Sequence, residues 1–171
     1  MAIYEPSYMW YGLYQDEEKL LKDTLGKCID EIHHIGSTAV IGLPAKPIID
    51  ILILVKVGTN AHDVKLKLEK IGYGVRIKKE KDVLHIKARK GYTIQGITGQ
   101  LYHLHIFDSS EPNIRDTLIF RDCLRADKKL CKEYAGLKFG LANVNQYDRN
   151  LYTSGKTKFI KGVIENAKSK K

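Results

Sequence analysis

The fold is decided by His34-Ile35-Gly36-Ser37-Thr38-Ala39-Val40 together with Lys46-Pro47-Ile48-Ile49-Asp50-Ile51-Leu52-Ile53-Leu54-Val55. The second segment is an almost unbroken β-branched and leucine run, which reads as a central strand covered on both faces. Cys28 to Ile35 reads as a shorter strand that runs into Gly36-Ser37. A Gly-Ser pair at a strand end lets the backbone approach an anion closely. The hydroxyls of Ser37 and Thr38, with free N–H groups at a helix start, can then hold phosphate oxygens. Asp50 is an acid inside an apolar run, and a buried carboxylate needs a partner or a metal. The plainer reading is that Gly36 makes a turn, Ser37 or Thr38 caps a helix, and Asp50 takes an internal hydrogen bond.

Outward from this stretch, Leu13, Leu20, Leu21, Leu25 and Cys28 fall near helical spacing and predict an amphipathic first helix ending near Gly26. Asn60 can cap a helix whose inner side is Val64, Leu68 and Ile71, with Gly72 past its end. Gly74 to Lys78, Val83 to Arg89 and Leu101 to Phe107 are strand candidates, and Gly91, Gly96 and Gly99 punctuate the loop before the last of them. The stripe Ile119, Cys123, Ala126, Leu130, Tyr134, Leu137 and Leu141 predicts one long helix from about 114 to 142. Lys156 to Ala167 is a final helix, with Phe159, Ile160 and Val163 inward. Only residues 168–171 read as a frayed basic tail. The order predicts a single α+β domain over 1–171 with a mixed β-sheet.

The 171 residues suffice for one domain with its own core. Hydrophobic residues at 43% and charged residues at 29% exclude wholesale disorder. No apolar run reaches the roughly 20 residues of a membrane helix, and MAIYEPSYMW is not a secretory signal. Three cysteines without CxxC spacing argue against a disulfide framework and for a reducing, cytoplasmic setting. Residues 1–60 carry five basic and eight acidic residues, a formal −3, and residues 61–171 carry the other 24 and 12, a formal +12. A basic surface of this kind attracts phosphate-bearing partners: a nucleotide, another phosphorylated small molecule, or RNA.

No G-x-G-x-x-G follows a strand. Gly155-Lys156-Thr157 imitates the end of a P-loop, but Asn150 stands where the earlier glycine is required. His103 and His105 share one strand face by period two. With Asp50 they form a possible metal site, since imidazole suits Zn or Mn better than Mg; they can equally serve as proton donors or phosphate ligands. Arg121, Arg125, Lys128 and Lys132 recur at helical spacing, either as a phosphate-reading face or as a solvated one.

Residues 34–51 resemble the signature of the GrpB family, which has the DNA polymerase β-like nucleotidyltransferase fold. Three further segments carry the resemblance in the family's order: Tyr102 to Ile106; Phe120 to Arg125 with Tyr134 to Lys138; and Tyr152 to Lys156 with Phe159-Ile160. The resemblance implies a mixed sheet with helices packed against it. It also implies a pocket in which Gly36, Ser37 and Thr38 cradle phosphate while Lys46, Arg121, Arg125, Tyr152 and Lys156 supply further contacts. The wider superfamily places two acids one residue apart on a strand to hold two divalent ions for nucleotidyl transfer. Here Asp50 fills the first position and Leu52 the second. His33, Ile41 and Ser154 also depart from the family pattern.

The expectation is therefore a nucleotidyltransferase-like protein that acts on or binds a nucleotide or other phosphorylated small molecule. Asp50, His103 and His105 are its candidate catalytic and metal-ligating residues for a divalent ion (Mg, Mn or Zn). A non-catalytic nucleotide-binding module is the alternative that Leu52 favours. An RNA-binding protein that uses the basic last two thirds is the second.

Overall fold

In a computed structural model of the chain, the described residues are 3–80, 83–93, 96–111, 114–144 and 149–170. Helix α1 (Met9–Leu25) ends at Gly26, where φ is +59°. Strand β1 (Ile29–Ile35) leads through Gly36 into one short turn, Ser37–Ala39, and β2 is Ile48–Val55. Helix α2 (Ala61–Lys70) begins as the sequence predicts, with Asn60 Oδ1 accepting from the amides of His62 (2.8 Å) and Asp63 (3.3 Å). Strands β3 (Gly74–Glu80), β4 (Val83–Thr93) and β5 (Gly96–Asp108) follow. Helices α3 (Arg115–Ala126), α4 (Lys128–Val144) and α5 (Arg149–Lys168) close the chain.

The five strands form one mixed sheet in the order β1-β2-β5-β4-β3. Only β2 and β5 run parallel; the other pairs are antiparallel. Because paired residues point to the same side, the register can be read as rows across the sheet. One face carries rows such as Ile32, Ile53, Ile106, Ile86 and Ile77, and α1 and α2 cover it with Trp10, Tyr14, Leu21, Leu25, Val64 and Leu68. On the opposite face, Ile35, Leu52, Leu54 and Phe107 are covered by Ile114 and Leu118 of the α3 region. Helices α3, α4 and α5 form a second apolar cluster around Leu124, Tyr134 and Phe159. This cluster holds Val40 and Leu43 of the loop between β1 and β2.

Three sequence expectations are corrected. The long helix is two helices, because Asp127 leaves the helical conformation and its Oδ1 accepts from the amides of Lys129 (2.8 Å) and Leu130 (3.0 Å), starting α4 afresh. The stripe from Ile119 to Leu141 and the row from Arg121 to Lys132 therefore do not lie on one straight cylinder. The glycine-rich stretch is not a loop. Strands β4 and β5 run through it, and Gly91, at φ +90°, sits where the register shifts between Lys90 and Tyr92. A Cβ there would collide with the Gln100 carbonyl. Finally, Lys168 belongs to α5, and its Nζ lies 2.6 Å from Asp116 Oδ1.

Gly155 lies inside α5, where a Cβ would come within 2.5 Å of Leu141 Cδ2; it lets α5 approach α4 closely. Among the described residues no helix is long and apolar enough to cross a membrane.

Candidate functional site

The parallel register of β2 and β5 sets Asp50 beside His103 and Leu52 beside His105. His103 Nδ1 comes within 3.4 Å of Asp50 Oδ1, and His105 Nε2 within 3.9 Å. The second nitrogen of His103 is taken as well: its Nε2 lies 2.8 Å from the Tyr92 hydroxyl, with the two rings stacked. Burial alone would raise the pKa of Asp50. The imidazoles of His103 and His105 outweigh it and hold the carboxyl below its ordinary range, so it is ionised at neutral pH.

Beneath this carboxylate the chain turns at Gly36, with φ +72° and ψ −171°. Only glycine adopts that conformation freely. Ser37 and Thr38 then enter a cavity of about 210 Å³ that Lys46, Asp50, His103 and Lys156 also line. The structure thus brings together most of the residues that the sequence singles out. It adds Lys138, which in the sequence only closes the motif from Tyr134 to Lys138.

Lys138 is 3% exposed. Its Nζ donates to Ser37 Oγ at 3.2 Å and to the Pro44 carbonyl, and it lies over the Tyr134 ring. Burial, with Lys156 close by, lowers the ammonium to about 8. The sequence signal was weak: Lys138 stands four residues after Tyr134 and next to Leu137, at the border of the apolar stripe of α4, where a lysine ordinarily reaches out to solvent.

Other predicted residues lie around the cavity rather than in its wall. Arg121 Nη1 donates to the His34 carbonyl at 3.0 Å and Arg125 Nε to the Ala39 carbonyl at 2.9 Å, so both tie α3 to the Gly36 loop from behind. His105 sits on the sheet beside Asp50. Tyr152 lies in α5, and its side chain falls outside the described residues.

His34 supports the loop from the other face of β1. Thr38 Oγ1 donates to the Ile48 carbonyl at 3.0 Å, so it accepts from His34 Nε2, also at 3.0 Å. That fixes the neutral tautomer. Burial foremost, then Arg125, holds the His34 pKa down at about 4 despite the opposing charge of Asp50.

The donor set does not fit the two divalent ions of the wider superfamily. Leu52, at the second acid position, is fully buried among Ile35, Leu54 and Phe107 under α3. Among the described residues no group of three or more His, Cys, Asp or Glu side chains is arranged to hold a metal ion. Asp50, His103 and His105 converge, but His103 already spends both nitrogens within the protein.

A family model described as GrpB protein matches residues 1–166. The chain is 37% identical over 161 residues to the UPF0157 protein YqkA of Bacillus subtilis, a match that covers 93% of this chain and 45% of that protein. It thus spans less than half the length of that relative. The crystal structure of conserved protein GrpB from Enterococcus faecalis superposes with a TM-score of 0.80 at 29% identity, over 99% of this chain and 98% of that one. The Cid1 poly(U) polymerase, solved with MgGTP bound, superposes with a TM-score of 0.57 at 18% identity, over 82% of this chain and 44% of that one. The last likeness is one of fold alone: the mixed sheet is of the type found in Cid1.

Proposed function

From the premise that this chain belongs to the GrpB family, we propose that its cavity binds the phosphate groups of a nucleotide or other phosphorylated small molecule. The observation that carries this reading is the cavity's charge. Three lysines, Lys46, Lys138 and Lys156, line it with one carboxylate, Asp50. The buried Lys138 ammonium is repelled by the half-buried Lys156, and an anion beside them relieves the cost. Ser37 Oγ, already held by Lys138, is placed to donate to a phosphate oxygen. Gly36 keeps the loop low enough for the anion to reach the backbone.

Isothermal titration with a nucleotide panel and pyrophosphate, each with and without Mg²⁺, Mn²⁺ or Zn²⁺, tests the reading. Binding that is indifferent to the metal and lost in Lys138→Met is the expected result. No binding of any phosphorylated ligand overturns it.

A second reading, nucleotidyl transfer, is favoured by the meeting of Asp50 with His103 at the cavity wall. There an ionised carboxylate and an imidazole can accept a proton from an attacking hydroxyl. Release of pyrophosphate from a nucleoside triphosphate, abolished in Asp50→Asn, would establish it.

A further inference from the structure

The face of the sheet that carries Asp50 changes character from one edge to the other. Its rows are Ile35, Asp50, His103, Arg89 and Gly74; then His33, Leu52, His105, Lys87 and Arg76; then Glu31, Leu54, Phe107, His85 and Lys78. Towards α3 the rows mix apolar residues, Ile35, Leu52, Leu54 and Phe107, with Glu31, His33 and Asp50. Beyond β5 they turn basic, and the only carboxylates in the three rows are Asp50 and Glu31. Among the described residues α2 packs on β3 and β4, and it lies on the opposite face with Val64 and Leu68 in the main core. Arg76 and Arg89 are exposed and Lys87 is half-buried.

From this register we infer that the face of β3 and β4 that α2 leaves uncovered is a docking surface for a single-stranded polynucleotide. The inference stands apart from the cavity reading, because the cations it rests on, Arg76, Lys87 and Arg89, do not line the cavity and it needs no bound nucleotide. A sheet spaces its side chains about 4.8 Å apart between strands and about 6.7 Å apart along every second residue. Arg76, Lys87 and Arg89 thus form a fixed lattice of cations at separations that successive phosphates of a flexible strand can match. A guanidinium binds phosphate with two parallel hydrogen bonds, which favours a phosphodiester over a diffuse anionic surface. Beside Arg89, the Tyr92 ring is 43% exposed and stacks on His103. It gives one unpaired base a plate to stack on. A duplex hides its base faces and gains nothing from that ring.

Titration of a fluorescein-labelled single-stranded RNA of about a dozen nucleotides, and of the matching DNA, tests this by anisotropy from about 50 to 200 mM salt. The comparison is between Arg76→Gln/Lys87→Gln/Arg89→Gln and a control with the same charge loss on the other face, Lys19→Gln/Lys67→Gln/Lys70→Gln. Binding to either oligonucleotide is expected in the parent and the control. The face variant should lose at least tenfold in affinity, and its salt slope should fall by about 2, from about 0.7 per phosphate contact released. All substituted side chains are exposed except the half-buried Lys87, and far-ultraviolet circular dichroism verifies that both variants fold. Equal losses in the two variants would reduce the effect to net charge and overturn the inference. So would the absence of oligonucleotide binding, or loss of binding to phosphatidylserine vesicles in the face variant while oligonucleotide binding is unchanged. Failure here leaves the cavity reading standing, since the nucleotide titrations use other residues.

Discussion

A Cβ built on Gly36 would lie 2.7 Å from Asp50 Oδ2. The turn and the acid are therefore one unit: the carboxylate occupies the space that the missing side chain leaves. Gly36→Ala meets both the glycine-only backbone conformation and this overlap. Each costs about 1–3 kcal/mol, so a loss of about 2–6 kcal/mol is expected. Urea unfolding should show it as a lower midpoint with an unchanged slope.

His34 predicts a pH dependence. Its pKa is about 4 in the folded chain, against 6.5 for the free side chain. Between these values the unfolded chain binds the extra proton. The contribution of neutral His34 is complete above pH 6.5 and is lost as the pH falls towards 4. The shift corresponds to roughly 3 kcal/mol. His34→Gln should flatten this part of the curve, measured as denaturant midpoints from pH 7 to pH 4.5.

Lys138→Met should separate stability from binding. The substitution removes a buried charge but strips the Pro44 carbonyl of its donor, two effects of similar size and opposite sign. The midpoint should move by no more than about 1 kcal/mol, while pyrophosphate affinity falls at least about tenfold, or 1.4 kcal/mol. Calorimetry and urea unfolding on the same preparation check both halves.

On the far side of the sheet, Glu17 is buried and accepts from Lys90 Nζ at 2.6 and 2.8 Å and from the Tyr73 hydroxyl at 3.0 Å. Glu17→Ala leaves an ammonium and a phenol without their acceptor, at a cost of about 3 kcal/mol. Glu17→Leu combined with Lys90→Met should cost less than Glu17→Ala alone. A double-mutant cycle by thermal unfolding measures the difference.

Asp127→Ala removes the cap of α4 and should cost about 1 kcal/mol, read from the urea midpoint.

Asp127 also illustrates where the sequence was legible and where it was not. Strand β2, the Asn60 cap and the Gly36 turn each carry a local signal that tertiary packing reinforces. The break between α3 and α4 does not, because apolar spacing passes through Asp127 without interruption and only the cap marks it. Glycines read as loop residues became a bulge because β4 and β5 pair with each other on both sides of Gly91. The candidate site was legible in Ser37, Asp50 and Lys156. Lys138 was hidden because a single cation at the border of an apolar stripe looks like a helix surface until the loop it grips is in place. Arg121 and Arg125 show the reverse: motif cations that hold the backbone carbonyls of His34 and Ala39 and the carboxylate of Asp122.

The parallel pairing of β2 with β5 has a consequence for how the protein acquires its site. Asp50 and His103 face each other across a closure that spans α2, β3 and β4. Hairpins such as β3–β4 can form early from local contacts, whereas this pair has to wait for a long loop to close. Lys138 joins from still further along the chain. The site is thus expected to be a late product of folding, because it requires segments from Ser37 to Lys156 to have come together.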